Sequence, residues 1–248
     1  MRKAVIINFI FLLFSGSVVV AALWYSFLPP VLPKGEQAQP VLPRSLEKEK
    51  HQWQSFVAYK KKLPQRVGEV SFIALGDVMP SRVVAQKMKE HGSDYPFLRV
   101  TDFLRSADIV FGNLESSITS GRVIHSGEML FRADPTTADA LQKAGFAIVS
   151  LANNHSPNFG DAGLLDTFTY LTESNIHYVG AGANGDEANA PKFITRKGIT
   201  FAFLAYNDTD VVPPSYEAGD DRPGTAFMRR DLMIEKVSGA KSQADFVI

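Results

Sequence analysis

Three stretches of this sequence share one pattern and decide its fold: VSFIALGD at 70–77, ADIVFGNLE at 107–115 and FAIVSLANNH at 146–155. Each begins with apolar, β-branched or aromatic residues and ends in polar ones. A helical pattern lies in each gap, and Gly92 and Gly145 mark the two helix ends. Near-continuous apolar strands that alternate with helices are typical of sheets buried on both faces. The sequence therefore predicts an α/β fold with a parallel section.

The polar residues at the strand ends form the candidate site. Asp77, Glu115, Asn154 and His155 fall in the short turns that follow the three strands. Open α/β sheets bind ligands at the carboxyl ends of their strands, so we expect the four side chains to converge on one edge. The carboxylates of Asp77 and Glu115 and the amide of Asn154 should lie within about 8 Å of one another, a spacing suited to metal ligation. Carboxylates, an amide oxygen and an imidazole suit Mn²⁺, Fe²⁺, Zn²⁺ or Mg²⁺. Taken singly, each residue is also compatible with an ordinary turn or loop cap.

Composition narrows the classes of function. The chain has 248 residues, with 26 basic residues balanced by 26 acidic ones, which argues against a general nucleic-acid binder. It contains no cysteine, so disulfides and thiolate metal sites are excluded. Any metal must therefore be held by oxygen and imidazole ligands.

The amino terminus predicts a membrane anchor over residues 1–28. Arg2 and Lys3 precede an apolar run from Ala4 to Leu28, long enough to cross a bilayer. The basic flank places the amino terminus in the cytoplasm and exports the remainder, giving a single-pass protein of the cell membrane. A cleaved signal peptide is the alternative, although its apolar region is normally only about 7–15 residues long.

A spacer over residues 29–67 separates the anchor from the globular domain over residues 68–248. Five of the fifteen residues from Pro29 to Pro43 are proline, which predicts an extended, semi-rigid segment. The segment from Arg44 to Arg66 is basic and carries apolar residues at roughly helical spacing. It predicts either an amphipathic stalk on an anionic surface or a solvated helix that packs on the domain.

Three motifs carry a family resemblance: Gly76-Asp77-Val78-Met79, Gly112-Asn113-Leu114-Glu115 and Ala152-Asn153-Asn154-His155. In order and spacing they resemble the leading motifs of the CapA-type capsule synthesis (poly-γ-glutamate biosynthesis) family. The similarity covers about Val70 to Tyr206. The resemblance implies a calcineurin-like, metallophosphatase-like fold: an α/β/β/α sandwich of two sheets flanked by helices.

The resemblance also implies roles for individual residues. Asp77 and Glu115 would be metal ligands, and Asn154 would bind the metal through its amide oxygen. Asn113 would assist as a further ligand, and His155 would be the catalytic residue that donates to a phosphate oxygen or a leaving group.

Three further residues are candidates for substrate binding: Asn153, Arg132 and His125. Arg132 precedes a proline-capped helix, where its guanidinium would hold an anionic group; a surface ion pair with Asp134 is the alternative. His125 lies in a Gly- and Ser-bearing loop beside the predicted site.

The sequence departs from the family pattern in two places. The family usually has aspartate three residues after the histidine, where this chain has Asn158, which puts a hydrogen bond to His155 in doubt. The last residues, 244–248, resemble the strand before the family's next histidine motif. We therefore expect a truncated domain that on its own binds metal weakly and has negligible hydrolase activity.

The leading hypothesis is a role in capsule or poly-γ-glutamate synthesis or export, with an anionic extracellular polymer or a phosphoester as substrate. Metal-activated water would hydrolyse a phosphoester or an amide linkage. An alternative is a non-catalytic accessory subunit of a membrane polymer-synthase complex that binds the anionic polymer. A third hypothesis is a secreted nucleotidase, although no aromatic clamp for a base is evident in the sequence.

Overall fold

The computed structural model describes residues 10–11, 54–55, 58, 69–125 and 127–248. Its main sheet contains β1 (Ile10–Phe11), β2 (Phe72–Val78), β3 (Ile109–Leu114), β6 (Ile148–Ser150) and β7 (His177–Val179). These strands are all parallel and lie in the order β1-β2-β3-β6-β7. The predicted α/β fold with a parallel section is confirmed, and the three strands with polar ends are neighbours.

Three smaller sheets complete the strands. A three-stranded sheet has β10 (Ile199–Phe203) between β9 (Lys192–Arg196) and β12 (Phe246–Val247). Two-stranded pairs are formed by β4 (Ser117–Ile118) with β5 (Arg132–Ala133), and by β8 (Ala181–Gly182) with β11 (Gly224–Thr225). From residue 69 onward the α-helices are α1 (Arg82–His91), α2 (Thr101–Leu104), α3 (Thr136–Ala144), α4 (Gly160–Glu173), α5 (Gly185–Ala188) and α6 (Arg230–Lys241), with a 3₁₀ turn at Pro214–Tyr216.

The main sheet buries a different apolar cluster on each face, because successive side chains of a strand point to opposite sides. One cluster joins the main sheet to β9 and β10 and includes Phe72, Ile109, Ile148, Ile194, Phe201 and Phe203. The other joins the opposite face to the helices and includes Ile73, Val110, Val149, Leu141, Leu164 and Leu171. The layers are therefore helices, main sheet and second sheet.

The strands run further than the apolar pattern predicts. Asp77 was expected in the turn after its strand, but β2 continues through it to Val78. The β2–β3 pairing shifts register between Ala74 and Asp77, and Asp77 then lies opposite Asn113. Pairing with β3 gives the backbone hydrogen-bond partners even where the residue types favour a turn, so both polar side chains project from ordered strands.

β9 and β10 form a hairpin that turns at Lys197 and Gly198. β9 and β10 are antiparallel, and Arg196 pairs with Ile199 across the turn. The two central residues, Lys197 and Gly198, have φ of 51° and 77°. Positive φ at both positions matches the twist of the flanking strands, which favours this class of two-residue turn.

A hydrogen-bonded carboxylate fastens this hairpin to the main sheet. Oδ2 of Asp108 accepts hydrogen bonds from the backbone N and the Oγ of Ser71, both at 2.8 Å. It also lies 2.9 Å from Nζ of Lys197 in the hairpin turn. Burial raises the pKa of Asp108, but the bonds from Ser71 and Lys197 outweigh it and leave the pKa below its usual value.

The Asp108→Ala substitution is expected to lower the free energy of unfolding by about 1–3 kcal/mol, because the donors on Ser71 and Lys197 lose their acceptor. The folded-state pKa of Asp108 is depressed, so its contribution is present above the unfolded-state pKa and is lost as the pH falls through the folded-state pKa. Chemical denaturation from pH 7 to pH 3 should show the gap between the two proteins closing at low pH.

The matched control is Asp94→Ala, which removes an exposed ion pair of 3.6 Å with Lys143. Its cost should be below about 1 kcal/mol. Equal losses for the two variants, or a gap for Asp108→Ala that does not change with pH, would contradict this assignment.

The predicted anchor and spacer lie mostly outside the described residues. Within 1–28 only Ile10 and Phe11 are described, and there the structure has a short strand in place of the predicted helix. Within 29–67 only residues 54–55 and 58 are described. Among the described residues, no helix combines the length and apolar character needed to cross a bilayer. The anchor and spacer therefore remain predictions.

Candidate functional site

The site begins with a hydrogen-bonded series that runs from β2 across β3 to the turn after β6. Nδ2 of Asn113 donates to Oδ1 of Asp77 at 2.9 Å. Nδ2 of Asn153 in turn donates to Oδ1 of Asn113, also at 2.9 Å. Asn113 therefore orients Asp77 through its amide nitrogen. Its oxygen keeps a second lone pair, and its role as a further metal ligand stays a prediction.

Asn153 holds the turn that carries the catalytic candidate. It is buried, and its amide oxygen accepts hydrogen bonds from the backbone N of His155 at 3.0 Å and of Ser156 at 2.8 Å. Its amide nitrogen also donates to the carbonyl of Leu114 at 3.0 Å. The donors and acceptors of this amide are thus occupied by the protein, which indicates a positioning role where substrate contact was predicted.

Glu115 brings a second carboxylate to the site directly after β3. Its backbone N donates to the carbonyl of Val78 at 3.0 Å, which ties the residue to the end of β2. Burial raises the pKa of Glu115 to about 7, and a hydrogen bond and charge repulsion from Asp77 act in the same direction. Without a cation, this carboxylate pair favours holding a proton.

His155 lies beside Glu115, with its Nε2 3.8 Å from Oε1 of that residue. Its ring stacks on Phe131 with centroids 3.8 Å apart. The amide nitrogen of Asn154 is 3.2 Å from the same Nε2. The structure therefore brings Asp77, Glu115, Asn154 and His155 together at the carboxyl edge of the main sheet.

The hydrogen bonds of Asn158 assign the proton of neutral His155. Oδ1 of Asn158 accepts from the backbone N of Phe131 at 2.9 Å, so this atom is oxygen and not nitrogen. The same Oδ1 is 2.9 Å from Nδ1 of His155, which must therefore carry the proton. Nε2 is left as the acceptor and faces Glu115. Asparagine thus keeps the hydrogen bond that was in doubt, but without a negative charge.

The Asn158→Leu substitution is expected to change the tautomer of His155 and, if the site hydrolyses a phosphoester, to lower that activity of the full-length protein by about 10–100-fold. It removes the acceptor that fixes the ring and tautomer of His155. Asn158→Asp restores an acceptor and should keep most of the activity. Steady-state kinetics on an activated phosphodiester, with histidine NMR to identify the tautomer, would test this. Equal activity and an unchanged tautomer in Asn158→Leu would contradict it.

Arg132 and His125, which were predicted to bind substrate, contact backbone and side chains of their own loop region. The Arg132 guanidinium donates to the backbone carbonyls of Ser120, Gly121 and Arg122, so it fastens the loop after β4. Among the described residues it forms no ion pair with Asp134, whose Oδ1 instead accepts from the backbone N of Thr136 at 3.0 Å at the start of α3.

His125 is exposed, and its backbone N donates to Glu128 at 2.7 Å. In the part of the chain that the structure describes, neither Arg132 nor His125 makes a recorded contact with the carboxylate pair. Phe131, which sequence reasoning did not single out, is the neighbour that contacts His155. A long-range ring contact of this kind leaves no mark in the local pattern.

The donor set fits a divalent cation in part. Asp77 and Glu115 supply two carboxylates of the kind that hard cations prefer. The Asn154 side chain is exposed, and its amide oxygen accepts no hydrogen bond from the described residues. In the described part of the chain, however, no three His, Asp or Glu side chains are arranged so as to hold a metal. Other ligands, such as water, would have to complete the coordination.

Comparison with known sequences places this site in a protein family. The family described as "Bacterial capsule synthesis protein PGA_cap" matches residues 71–248. The capsule biosynthesis protein CapA of Bacillus anthracis is 29% identical over 193 residues, which cover 73% of this chain and 45% of that protein. The PGA biosynthesis protein CapA of Bacillus subtilis is 28% identical over 177 residues, covering 70% of this chain and 46% of that protein.

A probable polyglutamine synthesis accessory protein of Mycobacterium tuberculosis is 33% identical over 129 residues, covering 50% of this chain and 33% of that protein. The chain thus spans less than half the length of these curated relatives. The family match includes all three strand-end motifs and more than half of the chain. The chain therefore belongs to the PGA_cap family of bacterial capsule synthesis proteins.

Proposed function

We propose that this chain acts in the synthesis or export of a capsule polymer of the poly-γ-glutamate type. Two relatives are named for capsule or PGA biosynthesis and a third for polyglutamine synthesis, which supports this pathway. Residues 1–28 would anchor it in the cell membrane, with the domain over 68–248 outside the cytoplasm; this proposal requires Ile10 and Phe11 to lie in the membrane helix and not in β1. The basic flank and apolar run of the sequence support this location.

The proposed fold is a metallophosphatase-like α/β/β/α sandwich. Helices cover one face of the main sheet, and β9 and β10 pack on the other. The outer helix layer would be provided by α6, which contacts β12 at the edge of the second sheet. This arrangement supports the architecture that the family resemblance implies.

The observation that carries the proposed chemistry is the series of contacts from Asp77 through Glu115 to His155. Asp77, Glu115 and the amide oxygen of Asn154 would hold a divalent cation (Mn²⁺, Zn²⁺, Fe²⁺ or Mg²⁺). Bound there, the cation would polarise a phosphoryl or carbonyl oxygen and lower the pKa of water. Asn113 and Asn153 would keep Asp77 and the turn of His155 in position.

His155 would be the general acid of the reaction. In hydrolysis the oxygen of water bonds to phosphorus or to an amide carbon, and the P–O or C–N bond breaks. The leaving atom would take a proton from Nε2 of the protonated imidazole, and the proton that the attacking water releases would pass through solvent and protonate the imidazole again. Asn158 fixes the ring from its other nitrogen, and Phe131 covers one face of the ring from water.

A non-catalytic accessory subunit is the second candidate. The Mycobacterium tuberculosis relative is named an accessory protein, and the described residues contain no complete three-residue group for a metal. In this role the same cleft would bind the anionic polymer for a membrane synthase complex and carry out no chemistry.

Complementation of a deletion strain would test the function. Deleting the gene should reduce surface polymer, and wild type should restore it, as should the control Asp94→Ala. Asp77→Ala, Glu115→Ala and His155→Ala should fail to restore it if the site is catalytic. Full restoration by all three would favour the accessory role. Normal polymer in the deletion strain would refute the pathway role.

Protease treatment of intact cells would test the location. The domain should be digested while the cytoplasmic end remains protected, and mass spectrometry should find residues 1–28 retained. Protection of the folded domain would contradict an extracytoplasmic location. A mature start after Ala22 would instead indicate a cleaved signal peptide.

A further inference from the structure

Arg82 occupies an unusual backbone position close to the site. It is the first residue of α1, five residues after Asp77, and its φ is 54°. A residue with a side chain pays about 1–2 kcal/mol for this left-handed conformation. The preceding residue, Ser81, is buried and its Oγ accepts from the backbone N of Arg132 at 3.1 Å. The start of α1 is therefore fixed against β5.

The Arg82 side chain lies against the aromatic support of His155. Its guanidinium carbon is 5.1 Å from the centroid of Phe131, the ring that stacks on His155 at 3.8 Å. This contact is a cation–π interaction, which holds the guanidinium without using its five N–H donors. The Arg82 guanidinium therefore lies near the site, and its contact with the Phe131 ring uses none of its N–H groups.

Arg82 differs from two neighbouring arginines in what its donors contact. Arg122 lies 2.7 Å from Glu128 in an ion pair, and Nη1 of Arg132 faces the backbone carbonyls of Ser120, Gly121 and Arg122 in one loop. Nη2 of Arg82 donates a weak hydrogen bond of 3.5 Å to Sδ of Met129. Among the described residues it has no carboxylate within ion-pair distance. Its charge is therefore not neutralised within that part of the chain.

An anionic substrate at this site would need a positively charged side chain close to it. Asp77 and Glu115 bring two carboxyl groups to the site, and neither attracts an anionic substrate. A guanidinium presents a planar fork that matches the two oxygens of a phosphate or a carboxylate. We propose that Arg82 is a substrate-binding residue that holds the anionic group, phosphate or carboxylate, beside His155. This inference rests on the proposed function; the predicted substrate-binding role of Arg132 stays a separate prediction.

Anion binding by the full-length protein tests the inference, with inorganic phosphate and a short γ-glutamate oligomer as probes. Calorimetry would measure anion binding both with and without Mn²⁺, so the result does not depend on the metal proposal. Arg82→Gly should weaken binding at least about tenfold, the cost of losing a charge-assisted hydrogen bond. Arg82→Lys should be intermediate, because it keeps the charge and loses the fork. Glycine suits a φ of 54°, so this variant should fold.

The matched control is Arg99→Gln, which changes an exposed arginine elsewhere on the surface and should leave binding unchanged. Weakening for phosphate alone would identify a phosphoester as the source of the anion, and weakening for the oligomer alone would identify the polymer. No binding by wild type, unchanged binding by Arg82→Gly, or equal weakening in the control would overturn the inference. Failure of complementation would instead bear on the proposed function.

Discussion

Replacing Asp77 by asparagine in the full-length protein is expected to weaken Mn²⁺ binding by at least about 100-fold, since loss of even an indirect partner of a metal ligand costs about 10–100-fold. Glu115→Gln should have a similar effect, because the two carboxylates adjoin and supply the charge that a cation requires. Isothermal titration calorimetry with Mn²⁺, repeated with Zn²⁺, would measure both.

Denaturant unfolding of the metal-free variants separates a loss of Mn²⁺ binding from damage to the fold. Removing one of two neighbouring carboxylates relieves their repulsion, so the metal-free variants should unfold at the same denaturant concentration as wild type or higher. The amide oxygen introduced by Asp77→Asn would still accept the hydrogen bond that Asn113 now donates to Asp77. Asp94→Asn, at an exposed position, is the control and should bind Mn²⁺ as wild type does. Unchanged affinity in Asp77→Asn would remove this residue from the site.

The apolar pattern of the sequence predicts the strands of the sheet but not their ends. The strand runs at 70–75 and 107–111 correspond to β2 and β3, and parallel pairing follows from their alternation with helices. Both strands extend into the polar residues, because pairing supplies backbone hydrogen bonds there. Propensity alone assigns Gly76 and Asp77 to a turn, and the register shift that aligns Asp77 with Asn113 depends on the neighbouring strand.

The sequence predicts the site residues that lie at the end of a single strand. It does not predict the contacts that form where several elements meet. Asp77 lies near the end of β2, and Glu115 and His155 come after β3 and β6, so their convergence follows from sheet order. The stacking of Phe131 on His155 joins residues 24 positions apart and depends on how β5 packs. Arg132 shows the same limit, because its neighbours are the carbonyls of a loop whose path no local pattern reveals.

The substitution Gly180→Ala is expected to be the most destabilising single change near the site. Gly180 has a φ of 80°, and an added Cβ would lie 2.6 Å from Cβ of Ala152 and 2.9 Å from the carbonyl oxygen of Ala205. Left-handed strain and overpacking together should lower the free energy of unfolding by about 2–5 kcal/mol. Ala152 directly precedes Asn153, so relief of the clash would displace the turn of His155.

Gly198→Ala separates the two causes. Gly198 has a φ of 77° in the hairpin turn, but an added Cβ would meet nothing within 4 Å. This control should therefore cost only the conformational strain, about 1–2 kcal/mol, and should leave Mn²⁺ affinity unchanged. Urea unfolding and Mn²⁺ titration of both variants would measure the difference. Equal losses of stability in the two variants, together with full Mn²⁺ affinity in Gly180→Ala, would contradict this prediction. The close approach of Gly180 to Ala152 would then have no part in holding the Asn153–His155 turn in place.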